Sequence, residues 1–384
     1  MATRQLLGTT TFDSTLDRLI RLYEEGHRLV VSFSAGKDST CVLECAILAA
    51  RLTGRLPVEV VLRDEEIAFP GTYEYAMRVA KRPEIKFHWL VAHQPIINCF
   101  NRANPYFWVF DNTLPPEQWV RQPPTDRPEC NVTFIDEINI EQMTIPSRFP
   151  PPEGKNLYAV IGLRVQESRG RLYGLFSSGG YITKPNRWGV RNVRPIYDWS
   201  DGDVWKAIGD NGWDYNKAYD TFMSMGVKRK DLRIAPPTMN PAAVDLLRLG
   251  SQAWPRWFDK VADRLEGVRT AAMFGKRSVS PNRRQGETWE ECFTRECIDE
   301  APAWIAKRAV EMRDTVLRAH GRHATTPLPE VTPCRPCFGN LGSWKGLTNA
   351  LYGGDPFSVK TNLPYVEPEF FRPGAGTWGG KASF

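Results

Sequence analysis

The sequence contains no long hydrophobic run. No uninterrupted apolar stretch approaches the roughly 20 residues that a membrane-spanning helix requires. The opening segment, MATRQLLGTTTFDSTLDRL, also has no apolar core followed by a small-residue cleavage site, so it does not look like a secretory signal. From these two absences we expect a soluble, cytoplasmic protein without a membrane partner.

Cysteine and one-sided charge are also scarce. The eight cysteines are scattered over 384 residues, which argues against a disulfide framework in a cytosolic chain. Lys and Arg number 50 against 44 Asp and Glu, so the net charge of +6 permits anionic ligands but does not indicate a nucleic-acid-binding tail. The hydrophobic share of 42% is ordinary for a globular protein, and the length predicts two or three units.

The first hundred residues alternate between strand and helix patterns. Apolar runs predict strands over 28–33, 57–62 and 85–91, and helical spacing predicts helices over 12–26, 38–52 and 71–81. This βαβαβ order predicts an α/β fold with an open, parallel, Rossmann-like sheet. Ligands of such sheets bind beyond the carboxyl ends of the strands.

The rest of the chain is organised differently. Proline and aromatic residues are dense between about 94 and 155, which indicates an insertion, and a fourth strand is expected over 156–163. We therefore predict a nucleotide-binding α/β domain over 1–214 and a mainly helical region over 215–384. Ser200 and Asp203 have the spacing of a capping box, so a helix is expected to begin there.

A loop of small residues joins the first predicted strand to the next helix. It contains Ser32, Ser34, Ala35, Gly36, Lys37, Asp38 and Ser39. Small residues let a backbone fold around phosphate oxygens, and the start of the helix presents N–H groups to an anion. Val31 and Asp38 occupy positions where a Walker A loop needs glycine and a hydroxyl residue, and the dinucleotide-binding pattern G-x-G-x-x-G is absent.

This loop resembles the S-G-G-K-D-S loop of the ATP pyrophosphatase superfamily, with Ala35 in place of the first glycine. The resemblance implies that the loop holds the β- and γ-phosphates of ATP, in the presence of Mg²⁺, while a nucleophile attacks the α-phosphate. The products would be pyrophosphate and an adenylated or otherwise activated acceptor, whose identity the sequence does not reveal.

Three further segments are similar to the phosphoadenosine-phosphosulfate (PAPS) reductase-like branch of that superfamily. They span 61–73 (VLRDEEIAFPGTY), 162–169 (GLRVQESR) and 194–205 (RPIYDWSDGDVW). With the loop, they cover about residues 28–210 in the order and spacing of the branch. The chain is thereby identified as a PAPS reductase-like member of the superfamily.

Charged residues in these segments have expected roles. Asp38, Asp64, Glu65 and Glu66 supply oxygen ligands for Mg²⁺, with a solvated loop as the alternative for the two glutamates. Arg164, Arg169 and Arg194 could clamp phosphate or sulfate groups, with surface ion pairs as the alternative. Gly162 opens the second segment and is expected in the nucleotide site. The expected catalytic residues are Lys37, Asp38, Asp64 and Arg164.

The sequence departs from the true reductases at one important place. Their catalytic cysteine lies in an E-C-G-[I/L]-H motif, and the nearest match here is Glu296-Cys297-Ile298-Asp299. Reduction of PAPS is therefore not expected. The chain more closely resembles a divergent branch from phages and mobile elements. The alternatives are a PAPS reductase-like enzyme that handles sulfonucleotides, a DNA phosphorothioation sulfurtransferase, or a nucleotide-sensing regulator with a ParB-like partner.

A possible metal site lies near the C-terminus. His320 and His323 precede Cys334 and Cys337, and this H-x₂-H and C-x₂-C spacing is credible for tetrahedral Zn²⁺. Cys292 and Cys297 could instead join Cys334 and Cys337 around zinc or an iron–sulfur cluster. Basic pairs and tryptophans in the same half leave nucleic acid as a further possible partner.

Overall fold

The computed structural model describes residues 8–136, 142–232, 234, 237, 244–356, 358, 360, 361 and 363. The chain divides into two compact units. The first comprises the described residues within Met1–Gln94 and Phe110–Ala235, and the second comprises those within Pro95–Val109 and Pro236–Phe384. In the part of the chain that the structure describes, no helix is long and apolar enough to cross a membrane.

A mostly parallel sheet forms the centre of the first unit. Its strands are β1 (Arg28–Ser32), β2 (Val58–Asp64), β3 (Ile85–Ile97), β5 (Val132–Asp136), β6 (Leu157–Val160) and β7 (Arg191–Val193). A seventh strand of the sheet, β4 (Tyr106–Val109), and the last residues of β3 fall within Pro95–Val109, which is counted with the second unit. The strand order is β4-β3-β2-β1-β6-β7, and β5 also pairs with β3. The α/β class and the open parallel sheet predicted from the sequence are confirmed.

The central strands are buried because helices and loops cover the sheet. Val30, Val31, Val60 and Val61 are completely buried, which explains why β1 and β2 appear in the sequence as continuous apolar runs. The third strand extends six residues beyond its predicted end at 91, and its register with β5 runs from Trp89 to His93. Backbone pairing therefore continues this strand after the apolar run has ended.

Six helices lie in the described residues of the first unit. They are α1 (Thr11–Glu24), α2 (Lys37–Leu52), α3 (Pro70–Ala80), α4 (Arg169–Ser177), α5 (Asp201–Asp210) and α6 (Ala218–Ser224). The predicted capping box at the start of α5 is confirmed, because the side chains of Ser200 and Asp203 each accept a hydrogen bond from the other's backbone N–H. The chain leaves the first unit after residue 235, so α6 belongs to it.

The second unit is mainly helical, as predicted. Its helices are α7 (Val244–Ala253), α8 (Pro255–Arg264), α9 (Val268–Phe274), α10 (Trp289–Thr294), α11 (Ala303–Gly321), α12 (Arg335–Phe338) and α13 (Trp344–Leu351). A core cluster around Phe293, Met312, Val316 and Leu347 packs α10, α11 and α13 together. This cluster lies beside the predicted metal-binding residues at the end of α11.

Candidate functional site

The loop after β1 leads directly into α2. Strand β1 ends at Ser32, α2 begins at Lys37, and Gly36 is the N-cap. Glycine has no side chain that could accept a hydrogen bond from the N–H groups of the first turn. Among the residues of this helix, all of which the structure describes, the N-cap therefore forms no side-chain hydrogen bond. The N-terminus of α2 therefore presents backbone N–H groups and the positive end of the helix dipole to an anion.

Ala35 gives the loop its sharp bend. Its φ is 56°, in the left-handed region that favours glycine. The residue is completely buried, and its carbonyl accepts a hydrogen bond of 3.1 Å from Asn216 Nδ2. The position thus has the backbone conformation that glycine would supply, and the fold holds an alanine there.

Serine hydroxyls hold the loop closed on itself. The backbone N–H of Ser34 donates to Ser39 Oγ at 3.3 Å, and Ser39 Oγ donates to the Gly36 carbonyl at 2.9 Å. Ser39 is buried, whereas Ser34 is exposed, and their hydroxyl oxygens are 3.1 Å apart. Of these two serines, Ser34 is therefore the one that solvent, or a ligand, can reach.

Two buried cations meet two carboxylates beside the loop. The side chains of Lys37 and Arg164 are 5% and 4% exposed. Arg164 Nε donates to Asp38 Oδ1, and Lys37 Nζ lies 3.9 Å from Asp38 Oδ2. Asp201 Oδ1 lies 3.5 Å from Lys37 Nζ and 3.7 Å from Arg164 Nη2. Since burial makes unpaired charge very costly, these four groups, the Lys37 cluster, neutralise one another. Glu167 Oε1 adds a further carboxylate, 3.8 Å from Arg164 Nη2.

Two residues of the C-terminal part of this unit also hold Lys37. Its Nζ donates to the carbonyl of Leu232 at 3.1 Å, and its backbone N–H donates to the hydroxyl of Tyr219 at 3.0 Å. Burial raises the pKa of Tyr219, so this hydroxyl stays protonated at any ordinary pH. The lysine is thereby fixed in position at the first turn of α2.

Gly162 allows the backbone after β6 to pass close to α2. A Cβ at this position would lie 2.9 Å from the carbonyl carbon of Asp38 and 2.9 Å from the nitrogen of Ser39. No side chain fits at that distance. Gly162 therefore brings the following residues, including Arg164, against the loop.

The carboxylate of Asp64 is engaged within the fold. It ends β2 and is almost fully buried. Its Oδ2 accepts from Trp89 Nε1 at 2.8 Å and from Arg121 Nη1 at 2.9 Å, while Oδ1 accepts from the Glu66 N–H at 3.0 Å and from Arg121 Nη2. These four donors saturate the carboxylate, so Asp64 orients Arg121 rather than presenting free oxygens to Mg²⁺.

The neighbouring glutamates are also engaged within the fold. Glu66 is completely buried, and its carboxylate accepts from the backbone N–H groups of Phe110 at 2.5 Å and Val120 at 2.9 Å. This burial contradicts the solvated-loop alternative for Glu66. Glu65 forms an ion pair of 2.5 Å with Arg63. The structure does not bring either carboxylate to the Lys37 cluster.

Arg194 has its partners elsewhere in the first unit. Arg194 Nη1 donates to the Gly174 carbonyl and the Ser178 hydroxyl, both at 3.1 Å, near the end of α4. Burial lowers the pKa of Arg194, because its charge is partly removed from water. The side chain of Arg169 lies outside the described residues, although its backbone begins α4.

Sequence reasoning missed several residues of the site. Asp201 lies inside the 194–205 segment, but at a position that the family pattern leaves unspecified. Asn216 and Tyr219 lie beyond that segment, where no motif marks them. Asn216 is completely buried and joins three elements, since Nδ2 donates to the Ala35 carbonyl and the Thr72 hydroxyl while Oδ1 accepts from the Ala218 N–H.

A second cluster lies in the other unit. His320, Cys334 and Cys337 form the one group of three or more potential metal ligands among the described residues, with ligand atoms within 4.8 Å of one another. His320 Nδ1 is 3.1 Å from Cys337 Sγ, which is 3.0 Å from Cys334 Sγ.

The structure differs from the predicted ligand set at His323. Helix α11 ends at Gly321 with Arg322 as its C-cap, so His323 no longer shares a helical face with His320, and it is exposed. Cys292 and Cys297 are fully buried and also lie outside the group, and the thiol of Cys297 points to the Thr348 carbonyl at 3.9 Å. The alternative set of four cysteines is therefore not assembled.

Comparison with known proteins finds a sequence relative in Escherichia coli. The chain is 25% identical over 261 residues to the uncharacterized protein YbdN of Escherichia coli K12. The aligned segment covers 64% of this chain and 63% of that protein. The chain thus spans less than two thirds of the length of this relative. No protein-family model matches the sequence.

Solved structures show only distant likeness. Candida glabrata FMN adenylyltransferase in complex with ATP aligns over 55% of this chain and 57% of its own, with 13% identity and a TM-score of 0.34. The phosphate complex of PAPS reductase from Candida auris aligns over 61% of this chain and 98% of its own, with 12% identity and a TM-score of 0.30. We therefore base the proposed function on the residues of this chain.

Proposed function

We propose that the first unit is an ATP pyrophosphatase-type enzyme. It would bind ATP with Mg²⁺ at the N-terminus of α2 and cleave the bond between the α- and β-phosphates. A nucleophile on the acceptor would form a bond to the α-phosphorus as the bond to the β-phosphate oxygen breaks, so that pyrophosphate leaves and AMP remains on the acceptor. The resemblance of the loop to the superfamily supports this reaction class.

The Lys37 cluster is the observation that carries the proposal. Two buried cations and two carboxylates adjoin an uncapped helix N-terminus, at the carboxyl end of a central parallel strand. A magnesium–triphosphate contains a cation, Mg²⁺, and an anion, the triphosphate. Lys37 and Arg164 could therefore exchange a carboxylate for phosphate oxygens, while Asp38 and Asp201 exchange a cation for the metal. Each charge in the cluster would keep a partner of opposite sign.

Each residue then has a defined task. Lys37 and Arg164 would bind the departing diphosphate and stabilise the charge that develops on it. Asp38 and Asp201 offer the hard oxygen ligands that fit Mg²⁺, and the bound ion would supply further charge neutralisation. Ser34 and the backbone N–H groups at the start of α2 would position the phosphates for in-line attack.

The test compares removal of a buried charge with removal of an exposed one. Lys37→Met takes away the ammonium from the cluster, and Lys206→Met takes away an exposed lysine of α5 whose side chain pairs with Asp210 and is 74% exposed. ATP affinity is measured by calorimetry with Mg²⁺. Pyrophosphate release is followed with γ-labelled ATP and cell extract, and α-labelled ATP, whose label stays with AMP, reveals the acceptor. Circular dichroism and thermal unfolding verify that each variant is folded.

We expect Lys37→Met to weaken ATP binding by at least about tenfold, as the loss of one charge-assisted contact of about 1.5–3 kcal/mol implies, and to abolish pyrophosphate release. The Lys206→Met variant should match the wild type. Equal binding by a folded Lys37→Met variant would remove the loop from the site. ATP binding without any pyrophosphate release would favour the nucleotide-sensing regulator, and a sulfurated product would favour sulfur transfer.

A further inference from the structure

We propose that the second unit contains a zinc site built from three protein ligands, the Nδ1 atom of His320 and the Sγ atoms of Cys334 and Cys337, with solvent in the fourth position. This site is separate from the nucleotide chemistry, and it neither supports nor depends on that proposal. It differs from the H-x₂-H and C-x₂-C set of the sequence by the exclusion of His323.

The three ligand atoms are already close to the arrangement that a metal ion needs. Zinc–sulfur bonds of about 2.3 Å at tetrahedral angles place two sulfurs about 3.7 Å apart. The Cys334 and Cys337 sulfurs are 3.0 Å apart, and His320 Nδ1 is 3.1 Å from the Cys337 sulfur. An outward movement of less than about 1 Å would therefore accommodate the ion.

The second nitrogen of His320 fixes the tautomer that zinc requires. Nε2 lies 2.9 Å from the Thr326 carbonyl, which can only accept a hydrogen bond, so Nε2 carries the proton and Nδ1 keeps its lone pair. Zinc-binding histidines generally have such a carbonyl or carboxylate partner on the other nitrogen. His320 as a whole is 5% exposed, so its ring is held in this orientation inside the second unit.

The cysteine turn is held in place by backbone contacts. The Cys334 N–H donates to the Gly342 carbonyl at 2.7 Å, and the Cys337 N–H donates to the Cys334 carbonyl at 3.2 Å. A Cβ at Gly342 would lie 2.4 Å from the Cys334 carbonyl oxygen, so this close approach requires glycine. The turn therefore offers both sulfurs on a preorganised backbone.

The composition of the chain determines what can occupy the fourth position. All eight cysteines and all five histidines are among the described residues, and none besides the three ligands joins the group. No further sulfur or imidazole ligand is thus offered by the chain, and an iron–sulfur cluster held by four cysteines is not supported. Two thiolates with one imidazole and a solvent oxygen form a set that suits Zn²⁺.

Such an ion would join two segments that are distant in sequence. His320 lies in the last turn of α11, whereas Cys337 lies in α12. Between them, the chain runs through Leu328, which packs with α11 and α13 in the core cluster. Zinc binding would therefore add its free energy to the folding of this end of the second unit.

The test uses the chain of 384 residues, reduced and freed of metal, then titrated with Zn²⁺. Four single variants are compared with the wild type. Cys334→Ser and His320→Ala remove proposed ligands, while His323→Ala and Cys99→Ser remove a matched histidine and a matched cysteine outside the group. Zinc content is measured by elemental analysis, affinity by competition with a chelator, and ligand type by X-ray absorption at the zinc edge.

We expect one zinc per chain in the wild type and in both control variants, with two sulfurs at about 2.3 Å and nitrogen or oxygen at about 2.0–2.1 Å. Cys334→Ser and His320→Ala should bind zinc more than about 100-fold more weakly. If a ligand variant fails to fold, the X-ray absorption spectra of the wild type and of His323→Ala still identify the ligands of the zinc ion. Loss of zinc in His323→Ala, three or more sulfurs, bound iron with sulfide, or no zinc uptake by the reduced wild type would each overturn the proposal.

Discussion

The backbone of Gly162 lies so close to that of Ser39 that a side-chain carbon at position 162 would stand 2.9 Å from the Ser39 nitrogen. Neither partner is a flexible side chain, so neither can move aside alone. The contact joins the chain after β6 to the first turn of α2, and Arg164 follows two residues later.

Gly162→Ala should destabilise the protein by about 1–3 kcal/mol, the usual range for overpacking, and should displace Arg164 from Asp38. Urea denaturation measures the free energy of unfolding. Gly209→Ala is the matched control, because Gly209 lies in α5 with no atom within 4 Å of an added Cβ. That change should be neutral or stabilise by up to about 1 kcal/mol. Equal behaviour of the two variants would contradict the close contact.

Ala35 provides a test of backbone conformation. Its φ of 56° costs an alanine about 1–2 kcal/mol, and Ala35→Gly would relieve this cost. The same change removes a buried methyl group worth about 0.8 kcal/mol. It also raises the conformational entropy of the unfolded chain, which disfavours folding. These changes nearly cancel, so Ala35→Gly should alter the free energy of unfolding by less than about 1 kcal/mol. Ala35→Val should lower it by more than about 2 kcal/mol, because a β-branched residue does not fit the left-handed region. A neutral valine variant would show that the loop is not bent as described.

Asn216 should be essential to the shape of the loop. Asn216→Ala leaves the Ala218 N–H and the Ala35 carbonyl without their partner in a buried site. We expect a loss of about 1–3 kcal/mol for each unsatisfied group, together with weaker nucleotide binding, as measured by thermal unfolding and calorimetry. Asn211→Ala is the control, since Asn211 is exposed and only bonds the Ala207 carbonyl. A loss no greater than that of the control would exclude this bridging role.

The ion pair between Arg295 and Glu287 should make the second unit sensitive to acid. Hydrogen bonds from Arg295 hold the pKa of Glu287 at about 2. Because the folded-state pKa lies below the ordinary value for glutamate, this pair stabilises the fold at neutral pH, and its contribution is lost as the pH falls from about 4.5 toward 2.

Carbon-detected NMR titration of Glu287 measures this pKa directly. Arg295→Gln should return it toward the ordinary glutamate value, and should reduce the loss of stability over the same pH range. Arg284→Gln is a milder comparison, because the Arg284 backbone N–H, which the substitution keeps, also donates to Glu287. An unchanged Glu287 pKa in Arg295→Gln would contradict the assignment.

The architecture was more predictable from the sequence than the site was. Buried parallel strands are continuous apolar runs, so β1 and β2 were expected within two residues of their observed ends. The helix at Ser200 was also predictable, because a capping box is a local arrangement. These features depend on neighbouring residues in the sequence, and tertiary contacts are not needed to foresee them.

The direction of a side chain at a strand end depends on the rest of the fold. Asp64 and Glu66 were expected to face solvent and metal, but Arg121, Trp89 and two backbone N–H groups from distant segments occupy their oxygens. The same reason explains why Asp201 was missed. Its proximity to Lys37 follows from the position of α5, and no pattern of adjacent residues encodes that position.

The contacts of Lys37 also bear on how the protein should be shortened for biochemical work. The ammonium is held by the Leu232 carbonyl and the backbone by the Tyr219 hydroxyl, while Asn216 supports the neighbouring alanine. A recombinant fragment that stopped at residue 214 would retain every recognisable signature of the nucleotide site yet lose all three supports. Truncations intended to preserve ligand affinity should therefore extend at least through residue 235.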